Sequence, residues 1–205
     1  SHAAKIEVIA GGGDGGPGAP AAQAALKIPF GAAFDPAGTM YVIEMAPGNR
    51  LFRVSPQGIL EHVAGTGEAG FGGDDGPALS AKFNGPHNIA VLPDGNVLIA
   101  DTWNGRVRKV DIRAGIASTI SGFSVPPDKA RSSGPYCVTL DPEGKMLYVA
   151  DLNRIHAIDV ATGRAKIVAG NGKKGRPEDG SKAIDAPLVD PRAVATDRKG
   201  NVYIL

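Results

Sequence analysis

The sequence contains a single cysteine, Cys137, so an internal disulfide is excluded. The redox compartment is therefore open, with a secreted or periplasmic setting favoured over the cytoplasm. Net charge is nearly absent, because 21 acidic residues offset 22 basic ones. That balance removes the electrostatic case for a nucleic-acid or membrane-surface partner. The densest basic run, Lys173-Lys174-x-Arg176, is interrupted by glycine and followed by Glu178 and Asp179, the composition of a solvated loop. No apolar stretch approaches the ~20 residues that span a bilayer. Long amphipathic helices are also missing: apolar runs are short, rich in Val, Ile, Tyr and Leu, and bounded by Gly, Pro or Asp. No leader segment is recognisable, and Ser1-His2 reads as a cloning remnant, which leaves room for a signal upstream.

What the sequence has in quantity is punctuation, with 29 Gly and 16 Pro, while 42% of it is still hydrophobic. Disordered Gly/Pro-rich chains lack that apolar share, so the turn-formers here separate many short strands. A motif of the form Pro-x-x-(apolar run)-x-x-Gly occurs four times, at Pro29 to Gly38, Pro86 to Gly95, Pro135 to Gly144 and Pro191 to Gly200. The interval inside the motif is constant and the interval between copies varies, which implies a rigid unit joined by loops of different length. The second copy resolves into four strand-like runs, 88–91, 97–100, 106–110 and 116–120, separated by Asp, Asn and Gly turns. Four short antiparallel strands repeating about every 54 residues make one propeller blade. The expected fold class is therefore all-β, a propeller of four-stranded antiparallel blades.

The run from Pro86 through Ile89-Ala90-Val91, Asp94-Gly95-Asn96-Val97-Leu98-Ile99-Ala100-Asp101 and Asn104 to Arg106-Val107-Arg108-Lys109-Val110 closely resembles the NHL repeat. The segments Val63-Ala64-Gly65-Thr66-Gly67 and Gly70-Phe71-x-Gly73-Asp74-Asp75-Gly76-Pro77-Ala78 are similar to the interblade segments of bacterial NHL proteins. The resemblance covers nearly the whole chain and implies a six-bladed ring of roughly 320 residues. The repeat units are expected at 29–64, 86–120, 135–169 and 191–205, the last one incomplete. Residues 5–10, aligned with 60–64 and 165–169, are expected to be the outer strand of another blade. About three and a half blades leave two apolar blade faces uncovered. The missing blades are expected from the rest of a longer protein, a companion chain or a second copy. One extra residue after Gly144 predicts a bulge in the third blade.

The resemblance also implies that the first strand of each blade lines a central channel, with the residue after the motif proline near its mouth. Those residues are Phe30, His87, Tyr136 and Arg192, with Asn88 beside one of them. A shared position that carries a different side chain in every copy is where ligand specificity would sit. The acid–base pairs Glu44 with Arg50, Asp101 with Arg106 and Asp151 with Arg154 recur at equivalent places, which favours a structural role tying a loop over a catalytic one. His87 is suited to general-base or metal chemistry, but His2, His62 and His156 are badly placed to converge on it, so a zinc site of the lyase type known in some NHL-type propellers finds no support. The acidic glycine loops around Asp14, Asp74-Asp75 and Glu178-Asp179 carry too few carboxylates for a calcium cage and read as turns. No cofactor is expected; calcium and zinc stay open. Trp103 has two readings, packing against the next blade or anchoring a partner. Cys137 reads as a small buried hydrophobe. The function expected is a non-catalytic scaffold binding a protein or small molecule at the channel mouth, the alternative being a lyase or a lactonase-like hydrolase.

Overall fold

The computed structural model describes residues 4–126 and 128–205; Ser1-His2, read above as a cloning remnant, lies outside them. The first blade is an antiparallel sheet of β1 (Pro29–Phe34), β2 (Met40–Glu44), β3 (Leu51–Val54) and β4 (Leu60–Ala64), paired in chain order. The second contains β5 (Gly76–Pro77), β6 (Asn88–Val91), β7 (Val97–Asp101), β8 (Arg106–Asp111) and β9 (Ile116–Ser124). The third is β10 (Cys137–Leu140), β11 (Met146–Ala150), β12 (Ile155–Asp159) and β13 (Ala165–Ala169), again in order. A hairpin of β14 (Val194–Thr196) and β15 (Val202–Ile204) begins a fourth unit, and a short helix α1 (Ala130–Ser133) precedes the third blade. No described helix is long and apolar enough to cross a membrane.

The repeated motif has a direct local cause. Its closing glycine sits in the left-handed region in every copy, with φ of +87° at Gly38, +85° at Gly95, +70° at Gly144 and +81° at Gly200. Only a residue without Cβ takes that backbone cheaply, so the turn between a blade's first two strands fixes glycine there. Side-chain oxygens complete the turns: Asp35 Oδ1 accepts from Thr39 N–H at 2.8 Å, and Asp94 Oδ1 accepts from Asn96 N–H at 3.0 Å.

Alternation then decides what each blade buries. In the second blade Ile89, Val97, Ile99 and Val110 join Tyr41, Ile43, Leu51 and Phe83 in one core, shared with the first blade. The other faces of the same strands place Ala90, Leu98, Ala100 and Val107 in a second core with Val138, Leu147, Val149 and Ile158 of the third. Period-two patterning with both faces apolar is what a sheet sandwiched between sheets requires. Flanked on both sides, β7 is buried along its whole length, whereas β1 leaves Phe30 and Phe34 exposed at 55% and 64%.

Three expectations change. Residues 5–10 form no strand: they pair with no described strand, and Ile6, Val8 and Ile9 are exposed. An outer strand exists by pairing with a third strand, and no described third strand stands beside this segment. The second blade has five strands instead of four, because the Gly76–Pro77 segment pairs outside β9 at Gly76↔Ala117 and Pro77↔Ile116. The extra residue of the third blade makes no bulge. The β10–β11 register runs unbroken from Cys137↔Ala150 to Leu140↔Leu147. The turn absorbs it, closing as Asp141 N–H to Met146 O at 2.9 Å, one residue wider than the Leu92 N–H to Asn96 O closure of the second blade.

Candidate functional site at the inner-strand mouth

The first strands of successive units, β1, β6, β10 and β14, pack side by side, so the residues following each motif proline are brought together. Gly31 allows this approach, since a Cβ there would lie 3.1 Å from the Asn88 Cα and the His87 carbonyl oxygen. The His87 ring meets Phe30 edge-on with centroids 4.9 Å apart, and meets Tyr136 in the same way at 4.9 Å. The Arg192 guanidinium lies 4.8 Å from the Tyr136 ring centroid. The aligned residues of four separate repeats therefore form one continuous row.

Two further side chains extend that row. Trp103, in the turn after β7, lies 6.0 Å from His87, and the Arg131 guanidinium of α1 covers its face at 4.1 Å. Trp103 is half-buried, and its ring stands beside His87. Gly85 makes room for it. Its φ is +55°, and a Cβ there would come within 2.4 Å of the indole. Gly85 also takes the His87 Nδ1–H hydrogen bond on its carbonyl oxygen at 2.7 Å, which leaves the other ring nitrogen, Nε2, as the acceptor. Burial pushes the His87 pKa below its ordinary value and Arg192 adds to that, with the Gly85 carbonyl pulling the other way. The site thus presents a neutral imidazole among three aromatic rings and two guanidinium groups. Tyr136 is buried and donates its hydroxyl to Arg131 O at 2.9 Å.

Asn88 sits in a different environment. Its Oδ1 accepts from the Val138 N–H at 3.0 Å, stitching β6 to β10 across the blade seam. Cys137 is buried beside it, with burial pushing the thiol pKa up, and its Sγ lies 3.6 Å from Val194 O.

The acid–base pairs hold loops. Glu44, fully buried, accepts from Arg50 Nε at 2.9 Å and from the Lys27 N–H at 2.5 Å. Asp101 is equally buried and accepts from Asn84 N–H at 2.8 Å, Asn104 Nδ2 at 2.8 Å and Arg106 Nε at 3.3 Å. Burial raises the Asp101 pKa against the lowering effect of those donors. In both blades the acid grips the N–H two residues before the motif proline and so sets the entry into the inner strand. The third pair is corrected: Asp151 accepts from the Arg154 backbone N–H at 2.7 Å, while its other oxygen meets His156 Nε2 at 2.8 Å. The loop is two residues shorter there, and the Arg154 guanidinium lies instead against Gly172, where a Cβ would be 2.3 Å from Nη2.

Sequence reading missed the Arg108 cluster. Arg108 is fully buried, with Nε 3.0 Å from Asp74 Oδ1 and Nη2 donating to Gly73 O at 3.0 Å. Arg106 reaches Asp74 Oδ2 at 2.7 Å, and Thr119 Oγ1 lies 3.0 Å from the same carboxylate. The carboxylate of this glycine loop is therefore engaged by two guanidinium groups. Among the described residues no group of three His, Cys, Asp or Glu side chains could hold a metal.

Comparison with known proteins places residues 83–110 in the NHL repeat family. Teneurin-3 of Mus musculus is 30% identical over 148 residues, which is 64% of this chain and 5% of that protein. NHL repeat-containing protein 3 of Homo sapiens is 29% identical over 174 residues, 82% of this chain and 43% of that protein. Among solved structures, virginiamycin B lyase from Staphylococcus aureus in complex with quinupristin superposes with a TM-score of 0.55 at 17% identity, covering 86% of this chain and 48% of the other. An auxiliary nutrient binding protein from Bacteroides ovatus gives 0.61 at 14%, covering 86% and 42%. A gluconolactonase from Xanthomonas campestris gives 0.58 at 13%, covering 84% and 54%. The chain spans less than half the length of these two relatives and about half that of the structures, whose likeness shows the fold alone.

Proposed function

Because this chain is built on the NHL repeat and folds as part of a β-propeller, we propose that it is a non-catalytic binding module whose recognition site is the row formed by Phe30, His87, Tyr136 and Arg192. The observation that carries this reading is the continuity of the row itself. Variable residues from four repeats meet within ring-stacking distance, while the recurrent acids are spent on loop geometry. Binding sites are built of apolar and aromatic surface with a few placed polar groups, and this row has that composition. Asn88, bonded to the Val138 N–H, holds the seam on which the row rests.

A ligand-observed NMR screen of small carboxylates, amides, amines and sugars tests the proposal. Ligands bound by the wild type are expected to be lost in both His87→Ala and Phe30→Ala, and to be recovered unchanged after prolonged incubation. Ligands retained by both variants would overturn the placement of the site.

One observation favours a second reading, a lyase or lactonase-like enzyme. The neutral His87 imidazole has the protonation state of a general base, and the structural neighbours include a lyase and a gluconolactonase. Conversion of a bound ligand that is abolished in His87→Ala would establish that reading in place of the first. We propose further that additional blades, from elsewhere in the protein, a companion chain or a second copy, cover the exposed face of β1.

A further inference from the structure

Resting on the mouth row as a binding site, we infer that its ligand is an anion, a carboxylate carried on an aromatic or apolar body. The charges at the row are both positive. Arg131 stands over the Trp103 face and Arg192 over the Tyr136 face, at 4.1 and 4.8 Å from the ring centroids. Both side chains are exposed, and among the described residues neither has a carboxylate partner. Of the acids near the row in sequence, Asp101 is taken by Arg106 and Asp190 by Lys174 at 2.5 Å, while Asp128, three residues before Arg131, forms no ion pair with it.

Aromatic cages of this size ordinarily suggest a cationic ligand. Here the faces of Trp103 and Tyr136 are occupied by the protein's own cations, and a third positive charge would meet like-charge repulsion. A guanidinium stacked on a ring keeps its N–H donors for a planar acceptor, which suits a carboxylate held by two parallel hydrogen bonds. Phe30, exposed and edge-on to His87, supplies apolar surface for the rest of the ligand.

Trp103 is the single tryptophan of the chain, so its emission reports on the row directly. The probes are phenylacetate and its neutral isostere phenylacetamide, titrated into the 205-residue chain. Phenylacetate is expected to change Trp103 emission saturably, with phenylacetamide at least tenfold weaker. Arg192→Leu should weaken phenylacetate at least tenfold and phenylacetamide by a much smaller factor, with a melting curve like that of the wild type because the side chain is exposed. Equal affinity for the two probes would overturn the anion inference while leaving the mouth as a binding site. Equal affinity for inorganic phosphate would overturn the apolar-body part. No emission change with any probe at millimolar concentration overturns the whole inference, and the NMR screen against His87→Ala and Phe30→Ala then decides the binding reading separately.

Discussion

His87 shows how one side chain is set by its neighbours. The Gly85 carbonyl fixes the proton on Nδ1, three rings surround the imidazole, and burial with Arg192 nearby holds the pKa below the ordinary 6.5. Between that lowered value and 6.5 the unfolded chain binds more protons than the native one, so stability rises with pH across this window. The contribution of the neutral ring is fully present above about pH 6.5 and is lost as pH falls through the native pKa. Urea midpoints measured from pH 5 to pH 7.5 should therefore drop more steeply towards acid in the wild type than in His87→Asn. Parallel profiles for the two proteins would disprove the protonation argument. Four members of the row were legible in the sequence because each follows a motif proline. The contact of Trp103 and Arg131 with it was not, since one comes from a turn after β7 and the other from a helix between repeats, and only the folding of those segments brings them to the row.

At the scale of elements, loops are tied to strands by buried charge. The glycine segment around Asp74 is pinned on β8 by Arg106 and Arg108, with Thr119 of β9 closing the group. Sequence reading assigned this loop to turn chemistry and could not identify its partners, because Arg108 sits in an alternating strand where a long apolar residue would fit equally well. The alternation itself, with the turn residues at 35–38 and 93–96, was enough to place most strands of the three blades. It misled for residues 5–10, where a strand-like composition meets no partner strand, and for the Asp151–Arg154 pair, where a shortened loop redirects both side chains. Arg108→Met removes one partner of a buried ionic group and leaves Asp74 and Asp101 undercompensated. Its expected cost is about 3–5 kcal/mol, read as a shift in the denaturation midpoint. A loss below about 1 kcal/mol, the level of an exposed pair, would show that Arg106 alone holds the loop.

The blades are held together across their faces, and the molecule as a whole inherits the consequences. Among the described residues three apolar cores lie between two sheets, and a fourth packs Phe52 and Leu60 of the first blade against Ala21 and Ala24 of the preceding segment, so each sheet depends on a neighbour to cover its faces. The same logic leaves Phe34 of β1 exposed, with Ile6, Val8 and Ile9 also in solvent, while Phe30 is exposed at the mouth beside His87. Exposed apolar surface of this kind, on a sheet whose equivalents elsewhere in the chain are covered, seeks cover by association. The 205-residue chain on its own should show a solution mass above 20.9 kDa that grows with protein concentration, and should bind a hydrophobic dye. Phe34→Ser, which touches neither the mouth row nor a buried core, should lower both the apparent mass and the dye signal without lowering the melting temperature. A wild-type chain that remains monomeric at high concentration and binds no dye would mean that the outer face of β1 is stable in water as it stands, and that further blades are not needed to complete the fold.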